Sequence, residues 1–128
     1  MDHVCLVMPI LSGKTDDARA FMRELDGPRK SEFDQSERRI GIGKELWYLA
    51  SLPGGDQLVG YMEAENFARA VGQFSASQDP FDLWFKQRMA DVTGVDLNNI
   101  PPGFSPPELL SHYDVRSAAS VYGLGIGD

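Results

Sequence analysis

The chain has one cysteine, Cys5, so it can form no internal disulfide, and only two histidines, His3 and His112. A single thiol fits a reducing compartment. Two histidines and one cysteine are too few for a His/Cys metal site. No HxxxH, CxxC or carboxylate-triad spacing is present, and no motif supports haem ligation by either histidine. No cofactor and no metal is therefore expected. Positive charge is scarce as well: 12 Lys and Arg against 19 Asp and Glu give a net charge of −7. An acidic surface repels phosphate backbones and anionic lipid, which argues against nucleic acid or a membrane as partner. The pairs Arg29-Lys30 and Arg38-Arg39 sit among acids and read as solvated helix faces. The apolar run Val4 to Leu11 is too short to cross a membrane, and Met1-Asp2-His3 lacks the basic start of a signal peptide. These absences together give a cytoplasmic expectation.

What remains is an ordinary globular composition, 42% apolar and 24% charged over 128 residues. That length suits one domain with one real core. The domain is expected over residues 1–116. Residues 117–128 form a tail rich in Ser, Ala and Gly, either disordered or laid over a partner. Gly123, Gly125 and Gly127 make no dinucleotide fingerprint, because no strand precedes them and no helix follows.

His3 to Ile10 is a β-forming apolar run, and Pro9 places its end at a sheet edge. Thr15 is a candidate N-cap, with Ala18, Phe21, Met22 and Leu25 as a helical stripe behind it. Gly27-Pro28 interrupts that helix. Arg29 to Arg39 reads as a second, mostly polar helix anchored by Phe33 and ended by Gly41. Lys44–Leu52 and Gln57–Ala64 read as a hairpin around Pro53-Gly54-Gly55-Asp56. That turn sets Leu52 against Gln57, Ala50 against Val59, Tyr48 against Tyr61 and Leu46 against Glu63. Asn66 caps a helix carrying Phe67, Ala70, Val71 and Phe74. Asp79-Pro80 starts another, with Phe81, Trp84, Phe85, Met89 and Val92 as its stripe and Gly94 as its stop. Four of the eight prolines lie between Leu97 and Pro107 and mark an irregular connection. Ser111 to Val115 is expected as a short last strand.

The hairpin does not alternate apolar with polar. Leu46, Tyr48, Ala50, Leu52, Val59, Tyr61 and Glu63 share one face; Trp47, Leu49, Leu58, Gly60, Met62 and Ala64 share the other. A sheet wetted on one side would alternate. The order is βαββαβ, the ferredoxin-like arrangement, an α+β fold whose antiparallel sheet has both helical layers on one face. Gly60 and Ala64 would let helices approach closely, so their face is assigned to the helix side. The Tyr48–Tyr61–Glu63 face needs another cover, and a second copy in a C2 homodimer is the simplest one.

With that order, the stretches PILSGKTDDARAFMREL, GPRKSEFDQSERRIGIGKELWYL and SQDPFDLWFKQRMADVTGVDL resemble small bacterial members, of unassigned function, of the dimeric α+β barrel superfamily. The resemblance spans roughly residues 4–115. It implies a dimer and a wide range of roles: cofactor-free monooxygenases of polyketide quinones, polyketide cyclases, muconolactone-type isomerases, haem-degrading enzymes and stress proteins. Similarity to the polyketide cyclases also implies a general-base role for His3, which otherwise reads as an exposed chain end.

Tyr48, Tyr61 and Glu63 form a candidate acid–base set, since a carboxylate beside apolar walls gains a raised pKa and tyrosines can bond a phenol or quinone. The plainer reading is a cross-strand aromatic pair with Glu63 at its wet end. Trp47, Trp84 and Phe85 are candidate ligand walls, and otherwise core. Arg38 is a candidate carboxylate clamp, as is Arg39; both otherwise serve as helix C-terminal cations. His112 with Asp114 could orient an imidazole, or simply lie on a polar strand. Cys5 reads as a small buried hydrophobe. Two functions stay open: a small-molecule enzyme acting on an aromatic or polyketide-like substrate without a cofactor, and a non-catalytic ligand-binding or structural dimer.

Overall fold

The structure is a computed structural model that describes residues 1–100 and 105–116. The proposed tail, 117–128, lies outside the described residues. Three strands, β1 (Asp2–Pro9), β2 (Ile42–Leu52) and β3 (Gly55–Ala64), form an antiparallel sheet in the order β1-β3-β2. β1 occupies an edge, which is where Pro9 is tolerated. Helices α1 (Thr15–Asp26) and α2 (Lys30–Ile40) link β1 to β2, and α3 (Phe67–Ala76) and α4 (Pro80–Thr93) follow β3.

Local signals set most of these boundaries. Asn66 caps α3 by accepting from the Arg69 amide, and Asp79 caps α4 by accepting from the Phe81 amide. Gly41 and Gly94 close α2 and α4 at φ of 91° and 77°, a region that penalises a Cβ. Thr15 departs from expectation. It is the first helical residue rather than a cap, and its hydroxyl donates to Asp56 at 2.6 Å, tying α1 to the hairpin.

Two further expectations are corrected. Ser111 to Val115 forms no strand, so the described sheet has three strands. In that segment the Asp114 carboxylate accepts from the Arg116 amide, a local side-chain bond that competes with a ladder. The hairpin register also moves. The turn takes only Pro53 and Gly54, and β3 begins at Gly55 with φ of 129°. Leu52 therefore opposes Gly55, Ala50 opposes Gln57, Tyr48 opposes Val59 and Leu46 opposes Tyr61. A shift of two residues keeps every side chain on its assigned face.

The helices cover the face carrying Val4, Met8, Leu58, Met62 and Ala64, all buried. A register shift at Gly43 turns Ile42 to this side as well. The core forms in two clusters. One joins Met8 and Leu58 to Phe21, Leu25, Phe81, Phe85 and Met89. The other joins Val4, Ile42 and Met62 to Ile40, Phe67 and Ala70. Trp47 and Phe74 touch both.

Gly60 does not receive a helix. Trp47, directly across in β2, lays its ring over it: a Cβ at Gly60 would stand 2.7 Å from the ring. Replacing Gly60 with Ala must therefore displace Trp47. Gly60→Ala is expected to destabilise by roughly 1–3 kcal/mol, the usual cost of overpacking, read as a lower urea midpoint with an unchanged m-value. An unchanged midpoint would contradict the packing described.

Candidate functional site

Where the two clusters fail to meet, a cavity of about 540 Å³ remains between sheet and helices. That volume lies within the range of small-molecule sites. Phe33, Trp47, Met62, Phe67, Phe74 and Phe85 supply apolar wall. Among the described residues, its polar side chains are Ser36, Glu37, Glu45 and Ser105.

The chain's own geometry brings Glu37 and Glu45 together. In α2, Phe33, Ser36, Glu37 and Ile40 fall at i, i+3, i+4 and i+7, which is one helical stripe facing the sheet. In β2, Glu45 shares parity with Trp47 and points to the same helix-covered side. Trp47 donates its indole N–H to Glu45 Oε2 at 2.8 Å. The Glu37 carboxyl hydrogen-bonds Glu45. Its Oε2 is shut off from solvent and has no partner among the described residues.

Burial, then repulsion from Glu45, then the hydrogen bond to Glu45, push Glu37 up to about 10, with Asp82 adding further repulsion. Burial raises Glu45 too, opposed by the bonds from Glu37 and Trp47. Two carboxyls this close in an apolar wall hold one proton between them at neutral pH, and Glu37 is its seat.

A second polar network fixes the helix that carries Glu37. Asp82 is fully buried on α4 and accepts from Ser36 at 2.5 Å, Ser77 at 2.5 Å and Arg39 at 2.9 Å. Burial alone would raise its pKa; these donors outweigh it and hold the carboxyl below its ordinary value. Lys86, also buried, donates to the carbonyls of Phe74, Ser75 and Ser77 and ties α4 to the end of α3. Burial lowers its pKa.

Of the residues singled out in the sequence, Trp47 and Phe85 line the cavity. Trp84 packs edge-on against Phe21 and beneath the Arg29 guanidinium, 4.0 Å from its ring centre. Arg38 bonds Asp34 one turn back along α2, and Arg39 is the one that reaches inward to Asp82.

His3, Tyr61 and Glu63 meet on the opposite, open face. Tyr61 donates to Glu63 Oε2 at 2.6 Å, and His3 Nδ1 stands 2.9 Å from the Tyr61 oxygen. The carboxylate bond raises the Tyr61 pKa, with burial and the Glu63 charge acting in the same direction. The His112 ring lies 5.5 Å from that of His3. Tyr48 is separate, 58% exposed and across from Val59. Cys5 is exposed on this face opposite Tyr61, not buried as expected, because the helices cover only the other parity of β1.

Glu37 and Glu45 were missed from sequence, although their positions carried the signal: Glu37 lies on the Phe33–Ile40 stripe and Glu45 two residues before Trp47.

Because the Glu37 pKa is raised on folding, the folded state holds a proton that the unfolded chain has already released. Stability is therefore greatest below the unfolded carboxyl pKa of 4.5 and is lost as pH rises toward about 10. One such proton is worth at most about 1.4 kcal/mol per pH unit. Glu37→Gln removes this loss, so its thermal midpoint should gain on the wild type progressively between pH 6 and 9. Parallel curves would contradict a protonated Glu37.

No protein family's sequence profile matches the chain, and no curated protein matches it. Solved structures do. Tetracenomycin F2 cyclase from Streptomyces glaucescens, a type-II polyketide cyclase, is similar with a TM-score of 0.53 at 12% identity, over 89% of this chain and 98% of its own. L-rhamnose mutarotase from Formosa agariphila is similar with a TM-score of 0.56 at 14% identity, over 89% of this chain and all of its own. At these identities the likeness speaks for the fold alone. The described helices on one face of an antiparallel sheet, together with the likeness to these two structures, give the chain a ferredoxin-like α+β fold.

Proposed function

We propose that the chain binds an apolar, aromatic or polyketide-like small molecule in the cavity between sheet and helices, and that it does so as a homodimer. One observation carries the binding reading: an aromatic-lined space of about 540 Å³ whose inner wall carries the Glu37–Glu45 carboxyl pair. An apolar container with a few convergent polar groups is the usual form of a small-molecule site. The net charge of −7 and the apolar wall disfavour an anionic ligand and favour a neutral one. The cyclase and mutarotase neighbours lend the reading a precedent on this fold, as analogy.

The dimer reading rests on the open face. Val7, Leu46, Tyr48 and Leu52 are each more than two-fifths exposed there, and a contiguous apolar surface of this kind marks an interface. On such a face the His3–Tyr61–Glu63 hydrogen bonds favour a second reading, in which these residues form an acid–base set completed by the partner chain. Loss of turnover in Tyr61→Phe with cavity binding intact would select it. A chain that binds and turns nothing over is the non-catalytic alternative.

In a Trp84→Phe background Trp47 is the sole tryptophan. Titration with the fused-ring ketone 2-tetralone should then quench Trp47 fluorescence saturably. Val71→Trp, which fills the cavity from α3, should abolish the binding measured by calorimetry while leaving the thermal midpoint within a few degrees. Saturable binding that survives Val71→Trp would place the ligand elsewhere.

For the dimer, sedimentation velocity at micromolar concentration should give the mass of two chains. The pair Leu46→Glu and Tyr48→Glu should shift it to one. A wild-type monomer would overturn this part of the reading.

A further inference from the structure

The geometry points to Glu37 and Glu45 as a catalytic acid–base pair that moves a proton between carbons of a neutral cyclic ketone held in the cavity. This rests on the cavity being the ligand site. It goes further in naming the reaction, the substrate class and the two residues.

Three features support it. The two carboxyls stand on facing elements, α2 and β2, and both line the cavity, so a ligand lying against that wall meets both. Their roles are unequal: Glu45 receives the Trp47 N–H and the Glu37 carboxyl, which stabilise its ionised form, while Glu37 has an oxygen, Oε2, with no partner among the described residues. A buried polar atom without a partner carries a free-energy cost that a ligand group can relieve. Finally, the surrounding wall is Phe33, Phe67, Phe74, Phe85 and Trp47, which suits a flat ring system.

The step balances without a co-reactant. The Glu45 carboxylate takes a proton from the carbon beside the carbonyl, so a C–H bond breaks and an O–H bond forms. The electron pair moves into a new C=C bond, and the carbonyl oxygen takes the Glu37 proton as the enol forms. In the return step the enol O–H proton goes back to Glu37. If the Glu45 O–H proton exchanges with solvent while the enol is held, its return to the same carbon gives exchange; delivery to a conjugated carbon gives isomerisation. Both carboxyls end as they began. The raised pKa of Glu37 keeps it a donor at neutral pH, as such a role requires. The charged and titratable groups that face the pair are Asp82, with its partner Arg39, and the two carboxyls themselves.

The test uses the full chain in deuterated buffer near neutral pD with 2-tetralone, following loss of its C1 proton signal by NMR and binding by calorimetry in parallel. The wild type should accelerate exchange above buffer. Glu37→Gln and Glu45→Gln should each reduce that acceleration about 100-fold or more while the affinity changes only a few-fold. In Glu45→Gln the new amide oxygen can still accept from Trp47, so the wall is preserved; a circular-dichroism spectrum matching the wild type confirms the fold of each variant. Tight binding with no acceleration, or acceleration untouched by both substitutions, overturns the catalytic proposal alone. No binding of 2-tetralone overturns the cavity reading and this proposal with it.

Discussion

The contact on which the site depends is the Trp47 ring lying across Gly60. A side chain at residue 60 would lift the ring away. With the ring down, three consequences follow. Its N–H reaches Glu45 and fixes that carboxylate on the helix side of the sheet. Its ring closes part of the cavity wall. It also touches both core clusters and bridges the gap that keeps them separate. A bulky aromatic filling the space above a strand glycine is a known stabiliser of sheets; in this chain it also sets the shape of the site.

The sheet presents apolar residues on two faces, and the described helices can cover one. On the covered face, the protein tolerates an unfilled volume and two close carboxyls, each of which opposes stability. The Asp82 network offsets part of this by pinning α2 to α4 through Ser36 and Arg39. It fixes the helix that carries Glu37 against α4. Incomplete packing and unfavourable polar burial concentrated at one place are features expected of a binding site. On the uncovered face, the Tyr61 hydroxyl and Glu63 carboxylate satisfy each other, which leaves the surrounding apolar residues to meet whatever covers them.

Much of the fold was legible because it is written locally. Asn66, Asp79, Gly41 and Gly94 mark helix ends through hydrogen bonds and φ values that involve only neighbouring residues. Strand parity was legible for the same reason, and it sent Trp47 to the helix-covered side. The hairpin register was not, since Pro53-Gly54-Gly55 can turn in two residues or four, and both keep parity. Nor was the fate of Ser111–Val115: a short β-like run forms a strand only if a ladder accepts it. The carboxyl pair escaped because acidic residues on a mostly polar helix read as solvated. Placing Glu37 on the Phe33–Ile40 stripe, and Glu45 on the Trp47 parity, needed the two elements to be considered together. His3, Tyr61 and Glu63 came together as a hydrogen-bonded set, whereas Tyr48, grouped with them by parity, lies across from Val59, one same-face position along β3 from Tyr61.

The central claim is that a protonated carboxyl stands at the cavity wall at neutral pH. Side-chain carbon NMR of protein labelled with ¹³C-glutamate tests it directly, with the Glu37 resonance assigned by its absence in Glu37→Gln. The account predicts that the Glu37 Cδ keeps the position of a protonated acid through pH 7 and moves only on the alkaline side. A resonance already at the carboxylate position at pH 7, titrating near pH ~4 to 5 like a solvated glutamate, would contradict it.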